Sequence, residues 1–140
     1  MRGIDIVDID DHLRKTGIKP SYQRKAIFEY LMNSNCHSTV NDIYMALSSN
    51  ISTLSKTTIY NTLNLFVDHN IVEVINIDPN EARYDIVREV PHGHFKCEEC
   101  GEIYDIFLDF NTLPIKDLNN FTIKTQQINL TGICGKCNEK

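Results

Sequence analysis

Four cysteines fall into two Cys-x-x-Cys pairs in the second half of the chain. Cys97 and Cys100 form the first pair, and Cys134 and Cys137 form the second. Gly101 follows the first pair, and Gly135 lies inside the second. Each glycine eases the tight turn that directs two sulfurs at one ion. Four thiolates complete a tetrahedral zinc site with no open position for catalysis. The motif therefore predicts a structural Zn²⁺ bound by all four cysteines.

A thioredoxin-like redox pair is the competing interpretation of a Cys-x-x-Cys motif. Such a pair is expected at the start of a helix in a βαβ unit, and neither pair has that context. In a reducing compartment, paired cysteines favour metal thiolates over a disulfide framework. The fifth cysteine, Cys36, is left over, and we expect it to be a small buried apolar residue.

Histidines and carboxylates form a second set of candidate ligands. His92 and His94 are two residues apart in a predicted strand, so their rings project from the same face. Asp85 and Asp105 lie on neighbouring extended segments, and His37 precedes a predicted helix. Three imidazoles and two carboxylates would form a five-ligand site suited to Fe(II) or Mn(II), and also open to Zn(II), Co(II) or Ni(II).

An isolated His-x-His motif describes two solvated surface histidines equally well. The carboxylates nearby in the chain are what favour a metal site for His92 and His94. By contrast, His12 and His69 lack such neighbours, and we expect both to be solvated.

The first part of the chain predicts helices followed by a hairpin. Ser21 can cap a helix, and Thr39 with Asp42 three residues later forms a variant of the capping box. Gly17 is placed to end the helix before Ser21. The predicted elements are helices over Ile4–Thr16, from Ser21, from Thr39 and over Ser55–Phe66, then strands Ile71–Ile77 and Arg83–Val87 joined by the turn residues Asp78 to Asn80. This order is typical of a winged helix.

The last predicted helix has a buried stripe and an exposed polar face. Ile59, Leu63 and Phe66 form the stripe. The residues left facing outwards are Lys56, Thr57, Tyr60, Asn61 and Asn64. A helix of this kind ahead of a wing predicts DNA recognition in the major groove, with Tyr60 at a base edge or thymine methyl and Lys56 or Arg24 at phosphate.

From Pro91 onward the pattern changes to short extended segments. They cover His92–Lys96, Glu102–Leu108 and Phe121–Leu130, with a short helix near Leu113–Leu118. We therefore predict an α+β fold: an N-terminal winged helix-turn-helix DNA-binding domain over 1–88, and a small C-terminal α/β dimerisation and metal-binding domain over 89–140 with a four-cysteine zinc site.

Composition limits the function. The chain of 140 residues has a formal charge of −5, which argues against indiscriminate nucleic-acid binding but leaves specific binding open. The concentrated basic stretch, Arg14 to Lys25, is either part of that binding or a solvated helix end. With no apolar run long enough to span a membrane and no signal-peptide pattern, we expect a cytoplasmic protein.

With these motifs assembled, the whole chain resembles the ferric uptake regulator (Fur) family, and within it the peroxide-stress (PerR) branch. Three segments of this chain resemble signatures of the family, and so do the two cysteine pairs. The segments are Ser21–Arg24, Ser55–Tyr60 and His92–Cys97. Aspartate at both 85 and 105 resembles the peroxide-sensing branch, because the iron-uptake branch more often has glutamate there. One departure is Tyr22, which occupies a usual proline position.

The resemblance implies a role for each of these residues. It implies structural Zn²⁺ at Cys97, Cys100, Cys134 and Cys137, and regulatory Fe²⁺ or Mn²⁺ at His37, Asp85, His92, His94 and Asp105. His37 and His92 are implied to be the targets of oxidation, and DNA contacts are expected from Arg24, Lys56, Thr57, Thr58, Tyr60 and Asn61. The implied partners are a second copy of the chain and a palindromic operator in double-stranded DNA, without a membrane and with peroxide as the only small-molecule signal.

The expected function is that of a metal-dependent transcriptional repressor that senses hydrogen peroxide through Fe(II)-catalysed oxidation of ligand histidines. The alternative within the family is a metal-uptake regulator that senses iron, zinc or manganese supply. An enzyme is disfavoured, because five protein ligands leave little room for substrate and the zinc thiolates are closed. A zinc-stabilised protein-interaction module would not need an exposed Tyr60 and Lys56 on a helix ahead of a wing.

Overall fold

The computed structural model describes residues 8–34, 37–87, 92–107, 116–123 and 126–140, with the backbone alone at His92. The chain divides into two compact units, Met1–Arg88 and Glu89–Lys140. The mixture of helices and small sheets confirms the predicted α+β class. The roles predicted for the two units, DNA binding and dimerisation, stay predictions.

The described part of the first unit has helices followed by a hairpin, in the order that the sequence predicts. Its elements are α1 (Ile9–Lys15), α2 (Tyr22–Asn33), α3 (Val40–Leu47), α4 (Lys56–Asp68), β1 (Val72–Ile75) and β2 (Arg83–Ile86). The predicted bounds are close to these, although both strands are shorter and the start predicted for the first helix, at Ile4, lies outside the described residues.

Side-chain caps start α2 and α3 where the sequence predicts them. The Ser21 hydroxyl accepts a hydrogen bond from the Arg24 N–H at 3.2 Å. At α3 the two halves of the capping box are both present: the Asp42 N–H donates to the Thr39 hydroxyl at 3.0 Å, and the Thr39 N–H donates to the Asp42 carboxylate at 3.1 Å. Each cap satisfies backbone donors that would otherwise lack a partner at a helix start.

Gly17 ends α1, as predicted. Its φ of +90° lies in the left-handed region that favours glycine. The Ile18 N–H then donates back to the Leu13 carbonyl at 2.9 Å and the Gly17 N–H to the Arg14 carbonyl at 3.0 Å, which is the Schellman pattern. Leu13 and Ile18 are both buried and complete that motif with an apolar pair.

The core of the first unit lies between the helices and the hairpin. The predicted stripe of α4, Ile59, Leu63 and Phe66, is fully buried, which confirms the helical pattern. Phe28 of α2 meets Phe66 edge to face with ring centroids 5.7 Å apart, an arrangement that aromatic pairs favour.

The hairpin carries one further pairing that the sequence did not predict. β1 and β2 are antiparallel, with Val74 opposite Tyr84 and Glu73 opposite Asp85. On its other side, Tyr84 forms an isolated antiparallel bridge with Ser38, which follows His37. The bridge ties the segment before α3 to the second strand of the wing.

The second unit is built on a three-stranded sheet of order β4-β3-β5. Its elements are β3 (His92–Cys97), β4 (Ile103–Phe107), β5 (Asn129–Gly132) and a short α5 (Gly135–Asn138). β3 is antiparallel to β4 and parallel to β5. The central strand therefore carries both the His-x-His motif and the first cysteine.

Two of the elements predicted for the second unit need correction. Within the strand predicted over Phe121–Leu130, the described residues form a strand only from Asn129, where β5 begins and pairs with residues 94–97 of β3. Of the helix predicted near Leu113–Leu118, the part up to residue 115 lies outside the described residues, and Lys116 to Leu118 are not helical; Asp117 has a φ of +65°. α5 was not predicted.

The third correction concerns two histidines expected to be solvated. The His12 ring lies 5.4 Å from the Phe28 ring, and the His69 Nδ1 lies 2.9 Å from the Leu65 carbonyl oxygen. Both rings therefore pack against the first unit. Separately, none of the helices in the described part of the chain is long and apolar enough to cross a membrane.

Candidate metal centres

The structure brings the four cysteines of the second unit together. Their Sγ atoms all lie within 4.8 Å of one another. The Cys97 and Cys137 sulfurs are 3.7 Å apart, and the Cys100 and Cys134 sulfurs are 3.8 Å apart. Zinc bonded to four sulfurs at about 2.3 Å would separate them by about 3.8 Å, whereas a disulfide is about 2.0 Å long. The cluster therefore fits a tetrahedral zinc ion and contains no disulfide.

Backbone donors favour the thiolate form at Cys97. The N–H groups of Cys100 and Cys134 each lie 3.4 Å from the Cys97 sulfur. These hydrogen bonds, that of Cys100 first, lower the pKa of Cys97 to about 6. Cys97 is also fully buried at the end of β3, where a thiolate needs such donors.

The other sulfurs are in a more mixed environment. The Tyr104 hydroxyl of β4 donates to the Cys134 sulfur and lowers the pKa of that thiol. Desolvation raises the pKa of Cys137 to about 12. Because metal ligands must be deprotonated, four ionised sulfurs at this spacing need a cation to balance them. The donor set and its geometry are thus those of a zinc-binding cluster.

The first unit contains a buried imidazole against a buried carboxylate. His37 precedes α3 and Asp85 lies on β2, and their side chains are each about 2% exposed. The His37 Nε2 is 3.4 Å from an Asp85 oxygen, and the other Asp85 oxygen accepts the Ile86 N–H at 2.8 Å. A carboxylate is seldom buried without a partner of positive charge, so this pair is a candidate for metal ligation.

The second unit contains a pair of the same composition. His94 on β3 and Asp105 on β4 are directly opposite in the sheet register, and the His94 Nε2 is 3.6 Å from an Asp105 oxygen. Cross-strand neighbours of this kind have side chains within reach of each other. The backbone of His92 begins β3 opposite Phe107; its side chain is not among the described atoms.

Both pairs are too far apart for a direct hydrogen bond; the His37–Asp85 distance lies at the upper end of the spacing of two ligands on one ion, and the His94–Asp105 distance lies about 0.2 Å above it. Their separations of 3.4 and 3.6 Å exceed the 2.7–3.2 Å that is usual for an N–H···O bond. Two ligand atoms about 2.1 Å from one ion lie about 3.0–3.4 Å apart at octahedral or tetrahedral angles. Imidazole and carboxylate donors together suit a first-row divalent metal.

The exposed face of α4 is polar, as the sequence predicts. Lys56, Thr57, Tyr60 and Asn61 are all exposed, and Tyr60 is 52% exposed despite its size. The Lys56 ammonium lies 5.5 Å from the centre of the Tyr44 ring of α3, within cation–π range. The face therefore presents a cation, hydroxyls, an amide and an aromatic ring to solvent.

The two remaining DNA-binding candidates make contacts within the protein. The Arg24 guanidinium donates to the Lys19 carbonyl at 2.7 Å. The Thr58 N–H donates to the Ser55 hydroxyl at 3.1 Å, and the two hydroxyls lie 3.0 Å apart. A cavity of about 620 Å³ lies between the start of α2 and α4, lined by both Arg24 and Thr58.

Sequence reasoning missed two residues next to the candidate ligands. Tyr104 donates to the Cys134 sulfur, and Arg83 donates to the His37 carbonyl oxygen at 3.0 Å. Arg83 lies two residues before Asp85 on a strand, so both project from the same face. The sequence did contain a signal for Arg83, because it is a cation on the same strand face as a predicted ligand. It contained no comparable signal for Tyr104.

Comparisons with known proteins match most of the chain. The ferric uptake regulator family profile matches residues 15–133. The chain is 34% identical over 131 residues to the peroxide operon regulator of Bacillus subtilis, covering 91% of this chain and 90% of that protein. It is equally similar, at 34% over 131 residues, to the peroxide-responsive repressor PerR of Staphylococcus epidermidis, with 91% and 87% covered.

Solved structures show the same fold. The ferric uptake regulator of Vibrio cholerae superposes with a TM-score of 0.76 at 24% identity, covering 91% of this chain and all (100%) of that one. PerR from Streptococcus pyogenes, whose structure is described in terms of peroxide sensing and gene regulation, matches with a TM-score of 0.52 at 30% identity, covering 91% and 88%.

Proposed function

Because this chain belongs to the ferric uptake regulator family, we propose that it is a metal-dependent, DNA-binding repressor that responds to hydrogen peroxide. The observation that carries the proposal is that each unit places a buried histidine within 3.6 Å of an aspartate: His37 with Asp85, and His94 with Asp105. The relatives named for peroxide response support the choice of signal.

The regulatory ligands are proposed to be His37 and Asp85 of the first unit with His92, His94 and Asp105 of the second. This assignment rests on the family resemblance and on the presence of one histidine–aspartate pair in each unit. A metal that takes ligands from both units favours one arrangement of the chain over others, since it gains affinity only where all ligands can reach it. DNA binding then follows metal binding.

Peroxide sensing is proposed to act through the ligand histidines. Bound Fe(II) would supply the redox chemistry, because it reacts with hydrogen peroxide. Mn(II) does not readily undergo this reaction. The net change adds one oxygen atom to an imidazole carbon of His37 or His92 and releases one water, so peroxide is reduced by two electrons. An oxidised imidazole is a poor ligand, so metal affinity falls and repression ends.

Structural zinc is proposed for Cys97, Cys100, Cys134 and Cys137. The sulfur spacing near 3.8 Å and the backbone donors at Cys97 support it. This ion would have no open coordination position, so its role is to hold the second unit folded. Exposed apolar side chains in that unit, Phe107, Phe121 and Leu130 among them, support its proposed role in forming a homodimer.

DNA recognition is proposed for the exposed face of α4. Tyr60, Thr57 and Asn61 would meet base edges in the major groove, with Lys56, Arg24 and Thr58 at the sugar-phosphate backbone. Two copies related by a two-fold axis imply a palindromic operator. The formal charge of −5 means that affinity must come from this local surface rather than from the net charge.

The test replaces one proposed ligand. A duplex is first selected from a randomised pool by the Mn(II)-loaded protein, and its affinity is then measured with and without Mn(II) for Asp85→Ala and Asp85→Asn. The asparagine variant keeps the volume and the oxygen that accepts the Ile86 N–H. We expect both variants to bind Mn(II) more weakly by more than about tenfold and to lose Mn(II)-dependent DNA binding.

Asp68→Asn makes the same chemical change at an exposed residue that ends α4 and is not a candidate ligand, and it serves as the control. It should leave Mn(II) affinity unchanged. Unchanged Mn(II) affinity in both Asp85 variants, with DNA binding still governed by Mn(II), would show that the site assignment is wrong.

A further inference from the structure

Three successive residues of β2 contact the segment that carries His37. The Arg83 Nη1 donates to the His37 carbonyl oxygen at 3.0 Å. The next residue, Tyr84, forms both backbone hydrogen bonds of the bridge with Ser38, at 3.2 and 2.8 Å. Asp85 then faces the His37 ring at 3.4 Å.

The first two of these contacts hold one peptide plane from both sides. The His37 carbonyl and the Ser38 N–H belong to the same peptide group, which is planar. Arg83 donates to the carbonyl, and the Tyr84 carbonyl accepts from the N–H at 3.2 Å. With that plane fixed, rotation about the bond that links it to the His37 Cα is restricted, and so is the direction in which the imidazole leaves the backbone.

Arg83 is itself oriented by the turn of the wing. Its Nη2 lies 3.5 Å from an Asp78 carboxylate oxygen, and the other oxygen of Asp78 accepts the Asn80 N–H at 3.0 Å. The guanidinium is planar and presents its donors in a fixed fork, so it can hold a carboxylate and a carbonyl at once. Arg83 is partly buried, which limits competition from water.

We infer that Arg83 is a positioning residue for the regulatory metal: it holds the His37 carbonyl against the wing, and thereby presets the His37 imidazole for ligation. The inference rests on the proposed function, since it assumes that His37 is a ligand. Groups that orient a metal ligand without touching the metal typically contribute about 10–100-fold to metal affinity.

Charge alone predicts the opposite effect. A guanidinium near a divalent cation repels it, so removing the charge should tighten metal binding if Arg83 acted only through space. A loss of affinity on removing Arg83 is therefore specific to positioning. Lysine keeps the charge but has a single ammonium nitrogen in place of the planar fork, so its donors are not held in the geometry of both contacts.

The experiment measures Mn(II) affinity on the full chain with the cysteine cluster zinc-loaded, using the electron paramagnetic resonance signal of free Mn(II). We expect Arg83→Gln to weaken Mn(II) binding about tenfold or more, and Arg83→Lys to give a smaller loss. Arg14→Gln, which changes an exposed arginine of α1, is the control and should change nothing.

A double-mutant cycle separates positioning from general destabilisation. If Arg83 acts through the His37 backbone, Arg83→Gln should have no further effect on Mn(II) affinity once His37→Ala is present. Losses that add, or Mn(II) binding that is unchanged or tighter in both Arg83 variants, would overturn the inference. Unchanged Mn(II) affinity in His37→Ala alone would instead mean that the proposed regulatory site is wrong.

Discussion

The first unit buries a continuous apolar cluster drawn from all of its described helices and both strands, whereas the buried cluster among the described residues of the second unit consists of Cys97, Cys134 and Cys137. Partly buried Phe95 and Tyr104 pack against those cysteines, with ring centroids 6.4 Å apart. The unit with the apolar core holds α4, and the unit with the cysteine core holds the His-x-His strand.

This difference indicates two sources of stability in one chain. Apolar burial stabilises the first unit through the area it removes from water. A unit as small as the second rarely gains enough from its apolar core, and a bound metal or a partner commonly makes up the difference. The two units should therefore respond to different perturbations.

The largest expected effect comes from removing one thiolate. Cys97→Ser should abolish tight zinc binding and unfold the second unit, because binding free energy at a structural zinc site is about 10–16 kcal/mol and is coupled to folding. Hydrogen exchange followed by mass spectrometry should show loss of protection in peptides from 92–107 and 126–140, with protection kept in α2 and α4.

Cys36→Ser makes the same change at the fifth cysteine, which is not one of the four proposed zinc ligands, and should leave zinc content unchanged. Retained zinc and retained protection of the second unit in Cys97→Ser would show that the cysteines do not hold it folded.

The next effect should fall on the first unit alone. Phe66→Ala removes a fully buried ring that packs edge to face on Phe28. We expect the free energy of unfolding of the first unit to fall by about 3–5 kcal/mol, with zinc content of the second unit unchanged. Denaturant unfolding followed by peptide-resolved hydrogen exchange measures both. Tyr22→Ala, at a side chain 72% exposed, should cost much less.

A drop in zinc content in Phe66→Ala equal to that in Cys97→Ser would contradict the separation of the two units, because it would make the apolar core responsible for both.

The smallest effect concerns pH and the first unit. Burial, and then the charge of Lys15, lower the pKa of His12 below its usual 6.5. The folded protein therefore binds this proton less readily than the unfolded chain does. The free energy of unfolding is unaffected by His12 above pH 6.5, the usual pKa, and falls as the pH decreases from 6.5 to the lower pKa of the folded state. His12→Gln should remove part of that dependence.

Thermal unfolding of the parent and His12→Gln, each followed between about pH 7.5 and about pH 5, checks this. As the pH is lowered, the parent protein should lose more stability than His12→Gln, so the difference between them should shift in favour of the variant. A constant difference across the range would mean that His12 has the same pKa folded and unfolded.

Features that depend on neighbours in the chain could be predicted from the sequence. The caps at Ser21 and Thr39 and the stop at Gly17 each involve residues close to one another in the chain, so their residue types are enough. The cysteine motif could also be predicted, because four thiolates of this spacing have few other uses.

Features that depend on long-range pairing could not. β5 pairs with β3, which lies far away in the chain, and the local pattern from Phe121 onward predicted a longer strand. Arg83 meets His37 across 46 positions, and Tyr104 meets Cys134 across the sheet. No local periodicity reports such contacts, so these outer partners of the candidate ligands became visible only in the folded chain.

The most direct measurement compares anaerobically purified protein loaded with Fe(II) or with Mn(II) after brief exposure to low hydrogen peroxide. Peptide mass spectrometry locates added oxygen, and binding of the selected duplex is measured on the same samples. We expect one added oxygen on the peptide containing His37 or His92 in the Fe(II) form only, with DNA binding lost. Unmodified histidines in the Fe(II) form, with DNA binding still set by metal supply, would contradict peroxide sensing and indicate a metal-uptake regulator.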